Sequence, residues 1–401
     1  MGEWCTEKLG NLASVKGGKR LPKGSVLQEN LTNHPYIRTR DIYDGKIAIN
    51  ELLYVPNEVF PKIQKYTVEK GDVIVSIVGT IGLCSIIPEE LHLASLTENC
   101  AKIVDIDKKR LDKCFLYYFL SSSCGQDEIK KRNVGSTQSK LPLYNIKSIP
   151  LSLPVLKEQK AIAEVLASLD DKIDLLHRQN KTLEALAETL FRHTFIDNAK
   201  DDWEEKSLLK VINLVGGGTP KTSVKEYWDG GTIPWLSGGD IASGHKSILV
   251  TSKKAITEEG LNNSSVKRLP KFATVISARG TVGKYALLSR SMSYSQSNYG
   301  ILPNIENCYF FTYLLINHVV GELQSTAYGS VFDTITTATF RDVKVTLPND
   351  DAIKDFENEV LSLFERKLNC VEQIQTLEKL RDTLLPKLMS GDTRVKHDKV
   401  A

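Results

Sequence analysis

The apolar positions of this chain change period, and the change happens twice in the same order. Up to Leu153 they come in short runs such as Asp72-Val73-Ile74-Val75-Ser76-Ile77-Val78. Turn signals punctuate these runs at Gly17-Gly18, Pro22-Lys23-Gly24, Asp44-Gly45, Gly79 and Gly82. Short β-branched runs bounded by glycine predict strands joined by tight turns. After Pro154 the spacing becomes helical: Ile162, Leu166, Leu169, Ile173, Leu176, Asn180, Leu183, Ala187 and Leu190 follow one another by fours and threes. This is a heptad seam held for about four heptads, and it predicts a coiled-coil helix roughly 60 Å long at about 1.5 Å per residue. The strand pattern then returns with Ala273-Thr274-Val275-Ile276-Ser277, followed by Gly280 and Gly283. The heptads return with Phe356, Val360, Leu363, Lys367, Cys370, Ile374, Leu377, Arg381 and Leu384, where Lys367 and Arg381 break the apolar rule. Within the β-rich parts, 110–121 and 309–324 read as helices.

The recurrence is a duplication in register. Trp4, Pro35 and Asp41-Ile42 recur as Trp203, Pro234 and Asp240-Ile241, 199 positions on. Gly135-Ser136, Pro154, Leu183 and Leu190 recur as Gly329-Ser330, Pro348, Leu377 and Leu384, 194 positions on. Solenoid repeats have periods of roughly 20 to 50 residues, so whole domains are repeated here. The expected fold class is α+β: two pseudo-repeated β-rich domains with helices, at 1–153 and 199–347, separated by two long helices at 154–198 and 348–393, with a tail at 394–401. Each long helix needs a neighbour for its stripe, and the simplest neighbour is the other, in an antiparallel coiled coil that would set the heads at opposite ends. The heptads alone leave parallel pairing open, and a long amphipathic helix lying on its own head is a further alternative. Asn180 on the seam is a buried amide of the kind that fixes register.

Composition adds limits. The chain has 401 residues, 41 % hydrophobic and 25 % charged, as expected of a globular protein with room for two or more cores. No apolar run is long enough for a membrane span, and residues 1–10 lack a signal-peptide pattern, so a cytoplasmic protein without a membrane partner is expected. Seven cysteines, with no C-x-x-C pair, read as free thiols. The net charge of +3 is unevenly placed. Residues 1–150 hold 21 Lys and Arg against 17 Asp and Glu, and residues 201–346 hold 15 against 13, while the helical segments are slightly acidic. The basic excess sits on the two heads, the direction expected for nucleic-acid contact.

Signals for catalysis are weak. Gly216-Gly217-Gly218-Thr219-Pro220-Lys221-Thr222 has Pro220 where a phosphate loop needs glycine, and Gly280-Thr281-Val282-Gly283-Lys284 ends in Tyr285 instead of Ser or Thr. The histidines are scattered without ligand spacing, so no metal site is expected.

Two diverged β-rich heads, each followed by a long helix, carry Gly218-Thr219-Pro220-Lys221, Ile233-Pro234-Trp235-Leu236 and Gly239-Asp240-Ile241. With the helical stretches Leu153 to Ala163 and Leu384-Leu385-Pro386-Lys387-Leu388-Met389-Ser390-Gly391, the chain resembles the specificity subunit of type I restriction-modification enzymes from Trp4 to about Val395. The first head departs most, with Val15-Lys16-Gly17-Gly18-Lys19 in place of the Gly-Thr-Pro element. The resemblance implies that each head is a target recognition domain reading half of a split, asymmetric duplex DNA site, while the helices set the gap. It implies two methyltransferase subunits docked on the helices and two motor-nuclease subunits in the full complex. S-adenosylmethionine, ATP and Mg are then expected on those partners, with no cofactor and no catalysis on this chain. Bases are read in the major groove mostly by Arg, Lys, Asn and Gln. Lys19, Arg20, Lys23, Arg38, Arg40 and Gln138 are candidates in the first head, with Lys130, Lys131 and Arg132 as a phosphate patch. Thr219, Lys221, Arg279, Lys284 and Gln296 are candidates in the second. Trp4, Trp203 and Trp235 read as core anchors more than stacking platforms. An enzyme with its own dispersed active site and a two-headed protein-binding scaffold remain as alternatives.

Overall fold

In the computed structural model the described residues are 4–135, 139–328 and 334–395. Ser136, Gln138, Gly329 and Ser330 lie outside them. The chain forms two compact units, Met1–Lys172 with Leu377–Ala401, and Ile173–Thr376. Each contains one β-rich head and a segment of both long helices.

In the first unit, Cys5–Lys8 pairs antiparallel with Pro150–Leu153, the strand that leads into the first long helix. An antiparallel sheet runs in the order Ser14–Gly17, Cys100–Val104, Val73–Ser76, Cys84–Ile86. All four residues of Val73–Ser76 are buried because both sheet faces are covered. Val73 and Val75 pack with Phe115, Leu116 and Ile129 from the helices Lys113–Ser121 and Ser123–Lys131, whereas Ile74 packs with Ile37, Ile87 and Leu96 on the other face. A strand buried on both sides cannot alternate polar and apolar residues, hence the continuous run Val73-Ile74-Val75; the buried Ser76 at its end donates to Thr80 O at 2.6 Å. The helix Lys113–Ser121 starts where Asp112 caps it, accepting from the N–H groups of Cys114 (2.9 Å) and Phe115 (3.0 Å). The first long helix fixes that cap, since Gln159 Oε1 accepts from Asp112 N at 2.9 Å.

The second unit repeats the plan. Glu204–Ser207 pairs with Lys344–Leu347, and a five-stranded sheet runs Ile212–Gly216, Asn298–Pro303, Thr274–Ser277, Tyr285–Leu288, Ile248–Leu249. Thr274–Ser277 is again fully buried, with Val275 and Ile276 in different clusters. The helix Tyr309–Tyr328 takes the place of the two short helices. Its first turn is capped from the second long helix, where the buried Glu357 carboxylate accepts from Phe310 N (3.0 Å) and Phe311 N (2.7 Å).

The long helices are Leu156–Arg192 and Asp350–Ser390. Within each unit their cross-contacts run in opposite directions. In the first, Glu158 pairs with Arg394, just past the second helix, and Asp170 pairs with Arg381. In the second, Gln179 Oε1 accepts from Cys370 Sγ at 3.8 Å, and Glu184 pairs with Lys367. Rising numbers meet falling ones, so the segments are antiparallel. Ile162, Leu166, Ile173, Leu176, Phe356, Val360, Cys370 and Ile374 are buried, and Leu169, Asn180, Leu183, Leu190, Leu363, Leu377 and Leu384 are half-buried. The helices also enter the head cores: Ile162 and Leu166 pack in the first, and Phe191, Phe356 and Phe364 in the second, joined by Phe195 from the turn His193–Asp197 that follows the first helix.

Trp4, Trp203 and Trp235 are anchors. Trp4 meets Phe115 edge-on at 6.3 Å, Trp203 packs on Phe195 at 6.2 Å, and buried Trp235 donates from Nε1 to Gly218 O at 3.0 Å. No helix among the described residues is long and apolar enough to cross a membrane.

Candidate functional site

The duplicated Asp-Ile pair is part of the scaffold. Buried Asp41 accepts from Arg38 at its backbone N (2.8 Å), Nε (2.8 Å) and Nη2 (2.6 Å). Buried Asp240 accepts from Ser237 N (2.8 Å), Ser237 Oγ (2.6 Å) and Lys253 N (3.1 Å). In both heads an acid thus closes a tight bend onto the residue three positions earlier. Arg38 also donates to Glu51 O at 3.1 Å, so its guanidinium is committed within its own head. Arg40, two residues on, is exposed.

A second shared element is the glycine turn after the buried central strand. Gly79 and Gly82, like Gly280 and Gly283, have positive φ between 76° and 91°, a region where side chains are strained. Gln126 Nε2 donates to Gly82 O at 2.9 Å, and Gln324 Nε2 to Val282 O at 2.9 Å. A head helix therefore clamps each turn, and the tips are left exposed: Thr80 in the first head, Arg279 and Thr281 in the second. Lys284, past the turn, is half-buried.

The third element is a close backbone approach. A Cβ on Gly18 would lie 2.1 Å from Thr97 O, and one on Gly217 would lie 2.2 Å from Ser295 O. Glycine at these positions lets the loop after the edge strand lie on the turn that follows Ser95–Leu96 or Met292–Tyr294. In the loop that resembles a phosphate loop this contact accounts for Gly217, while a Cβ on Gly218 would lie 2.6 Å from Val266 N on a different segment. Two side chains then meet at equivalent places in the two heads. Arg20 Nε donates to Glu98 Oε1 at 2.6 Å, and Thr219 Oγ1 donates to Gln296 Oε1. Position 219 lies 199 after position 20, and 296 lies 198 after 98. Arg20 is 80 % exposed, so the ion pair contributes little to stability and remains open to another acceptor.

These elements converge in the first head. A groove of about 810 Å³ is lined by Thr39, Arg40, Tyr43, Thr80 and Asn99, and another of about 560 Å³ by Arg20, Lys23, Arg38 and Glu98. The segments 38–40 and 97–99 are thus shared, Thr39, Arg40 and Asn99 facing the first groove and Arg38, Thr97 and Glu98 the second. Tyr43, 80 % exposed, stands on a hairpin whose turn residues Asp44 (φ 47°) and Gly45 (φ 74°) are both left-handed, the backbone a two-residue hairpin favours. Lys19 lies 5.6 Å from the centre of the Tyr66 ring. In the second head Lys221 is exposed, and Thr222, Trp228 and Lys254 line a cleft of about 360 Å³. Lys130, Lys131 and Arg132 carry acid partners at Asp127 and Glu128. Gln138 lies outside the described residues.

Sequence reading missed Glu98, Asn99, Tyr43 and Trp228. Glu98 was not within reach of the duplicated frame, which at 199 positions sets it opposite Ser297; only the contact between the two loops pairs it with Gln296. Among the described residues no cluster of His, Cys, Asp and Glu is placed to hold a metal ion. The thiols of Cys84 and Cys100 are buried, which pushes each up to about 12 and leaves them unreactive as nucleophiles.

Comparison with known proteins agrees with this architecture. The family model for the type I restriction modification DNA specificity domain matches twice, over residues 1–185 and 200–379. The type I restriction enzyme MjaIX specificity subunit of Methanocaldococcus jannaschii is 24 % identical, covering 98 % of this chain and 94 % of its own. The HindI specificity subunit of Haemophilus influenzae is 22 % identical over 90 % of this chain and 94 % of its own. A crystal structure of the S subunit of a type I restriction-modification system from M. genitalium superposes with a TM-score of 0.64 at 16 % identity, covering 98 % of this chain and 97 % of that one.

Proposed function

The chain belongs to the family of type I restriction-modification DNA specificity subunits, and from that membership we propose that it reads a bipartite, asymmetric duplex target, one half with each head. It is the non-catalytic, DNA-recognising member of a system whose catalysis lies on methyltransferase and restriction subunits. The observation that carries the asymmetry is the pair at equivalent positions, charged in the first head (Arg20 with Glu98) and neutral in the second (Thr219 with Gln296). A guanidinium presents paired donors suited to guanine, whereas an amide both donates and accepts and suits adenine. The same frame therefore offers two different base edges.

Around these pairs, Arg40, Lys23 and Thr80 extend the reading surface in the first head, and Lys221, Arg279 and Thr281 in the second. Lys19 and Lys284 stand at its margins, and Arg38 holds the bend that presents Arg40. Lys130 and Lys131, in exposed and therefore weak ion pairs, can be released to phosphates. Recognition domains at 1–153 and 199–347 and spacer helices at 154–198 and 348–393 complete the reading. Two methyltransferase subunits dock on the helices, where Leu175, Leu186 and Leu361 remain 40–45 % exposed. Two motor-nuclease subunits complete the assembly. S-adenosylmethionine, ATP and Mg belong to those partners. Adenine is extruded for methylation by a partner while both heads hold the duplex.

Methylome sequencing of cells with and without this protein tests the reading. The expected loss is a two-part adenine-methylation motif with unlike halves, and an uninterrupted motif overturns the proposal. In the same assay, Arg20→Thr combined with Glu98→Gln is expected to change one half of the motif and leave the other, with discrimination at the affected position shifted by about 1–3 kcal/mol. Binding of target duplex is expected to weaken steeply between about 50 and 200 mM salt, because phosphate contacts release counterions. A flat titration would remove DNA as the partner.

A further inference from the structure

The heads differ in their loops, yet one arrangement ties both to the long helices. In the first unit, Tyr118 Oη donates to Asp170 Oδ2 at 2.8 Å, and Arg381 Nη1 donates to Asp170 Oδ1 at 3.1 Å. In the second, Tyr313 Oη donates to Glu184 Oε1 at 2.7 Å, and Lys367 Nζ holds Glu184 Oε2. Each carboxylate of the first long helix gives one oxygen to a head tyrosine and the other to a base of the second long helix. Both tyrosines are buried on the head helix that packs under the central sheet.

Duplication alone does not produce this second copy. The tyrosines are repeat equivalents, 195 positions apart, but their partners are not. At the 194-residue offset of the helices, Asp170 corresponds to Phe364 and Glu184 to Glu378, while Lys367 corresponds to Ile173 and Arg381 to Ala187. The same bridge has been assembled from non-equivalent positions, which marks it as serving a common need of both heads. Apolar contacts between a head and its helices are non-directional and tolerate sliding. A buried hydroxyl bound to a carboxylate that is itself held by a base tolerates little, because leaving any member unpaired is costly.

We propose that Tyr118 and Tyr313 are positioning residues for target recognition, each fixing the angle of its head on the helices beneath it so that targets with a longer or shorter gap are refused. This rests on the two-half-site reading above.

The test uses the complete complex with its partner subunits, methylating duplexes that carry the target found by methylome sequencing. The gap is kept, lengthened by one base pair or shortened by one. Wild type is expected to methylate the native gap and refuse the others. Tyr118→Phe and Tyr313→Phe are each expected to keep the native-gap rate within about threefold while losing about tenfold or more of the discrimination, the equivalent of one hydrogen bond to a charged group. A purely structural hydroxyl would lower thermal stability and leave gap discrimination untouched, and that result in folded variants overturns the proposal. Should either phenylalanine variant fail to fold, Asp170→Asn in the first unit and the double variant Glu184→Gln with Lys367→Met in the second keep an acceptor for the tyrosine but remove its carboxylate–base link. They are expected to lose part of the discrimination, and discrimination equal to wild type again overturns the idea. A wild-type complex that methylates all three gaps equally refutes the two-half-site reading instead.

Discussion

Replacing Lys367 with methionine is expected to destabilise the second unit by about 3–5 kcal/mol, the usual cost of leaving one member of a buried ion pair alone. Lys367 is 3 % exposed and Glu184 11 %, so neither charge has water to fall back on. Lys367 also donates to Lys246 O at 3.2 Å and lies 5.6 Å and 5.9 Å from the centres of the Tyr313 and Phe364 rings, so removing the ammonium unties four contacts. The double variant Glu184→Gln with Lys367→Met should recover most of the loss: it removes both charges and keeps an acceptor for Tyr313. Urea unfolding followed by a probe in the second unit measures the cycle, because the two units need not unfold together. A single-variant loss below about 1 kcal/mol, typical of an exposed pair, would refute the burial argument.

That pair also shows where the sequence was legible and where it was not. Lys367 and Arg381 stood out only as breaks in an apolar seam. Their partners, Asp170 and Glu184, each sit one residue beyond a seam leucine, where a charge is ordinary in a helix. The two acids are two heptads apart and so are the two bases, a match that becomes informative only once the segments are known to run antiparallel. The heptads themselves, the duplicated frame and the buried central strands were all readable, because each is a local pattern imposed by burial. The strand read at 72–78 is Val73–Ser76, shortened where the glycine turn begins, and the helix read from 110 starts after the Asp112 cap. The candidate site was legible in part. Turn glycines and exposed bases could be found by type, so Arg20, Thr219 and Gln296 were named. That Arg20 meets Glu98, or that Arg38 turns inward to Asp41, depends on which loops are pressed together, and no local pattern records that.

Glu357 is expected to make the second unit lose stability as pH rises, the reverse of most carboxylates. Burial pushes it up to about 7 from its ordinary 4.5, against the opposing pull of the N–H groups of Phe310 and Phe311. A carboxyl whose folded pKa exceeds its unfolded one holds more protons when folded. Its stabilising contribution is therefore complete below 4.5 and disappears as pH climbs through 7. Between pH 5 and 8 the loss is about 2–3 kcal/mol, taking about 1.4 kcal/mol per pKa unit. His245 and His318 in the same unit act the other way at acid pH: burial lowers both, so their contribution is present above about 6.5 and lost on acidification. The difference between wild type and Glu357→Gln, not the raw slope, therefore isolates the carboxyl. Glutamine keeps an acceptor for the first turn of Tyr309–Tyr328 without a charge, so the variant should match wild type near pH 5 and exceed it by about 2–3 kcal/mol at pH 8. The first unit has Ala163 at the corresponding position and caps its helix with Asp112, so the substitution should leave its transition unmoved. Parallel pH profiles for variant and wild type would mean that the carboxyl is already ionised in the folded chain. The cap would then be an ordinary charge–dipole contact.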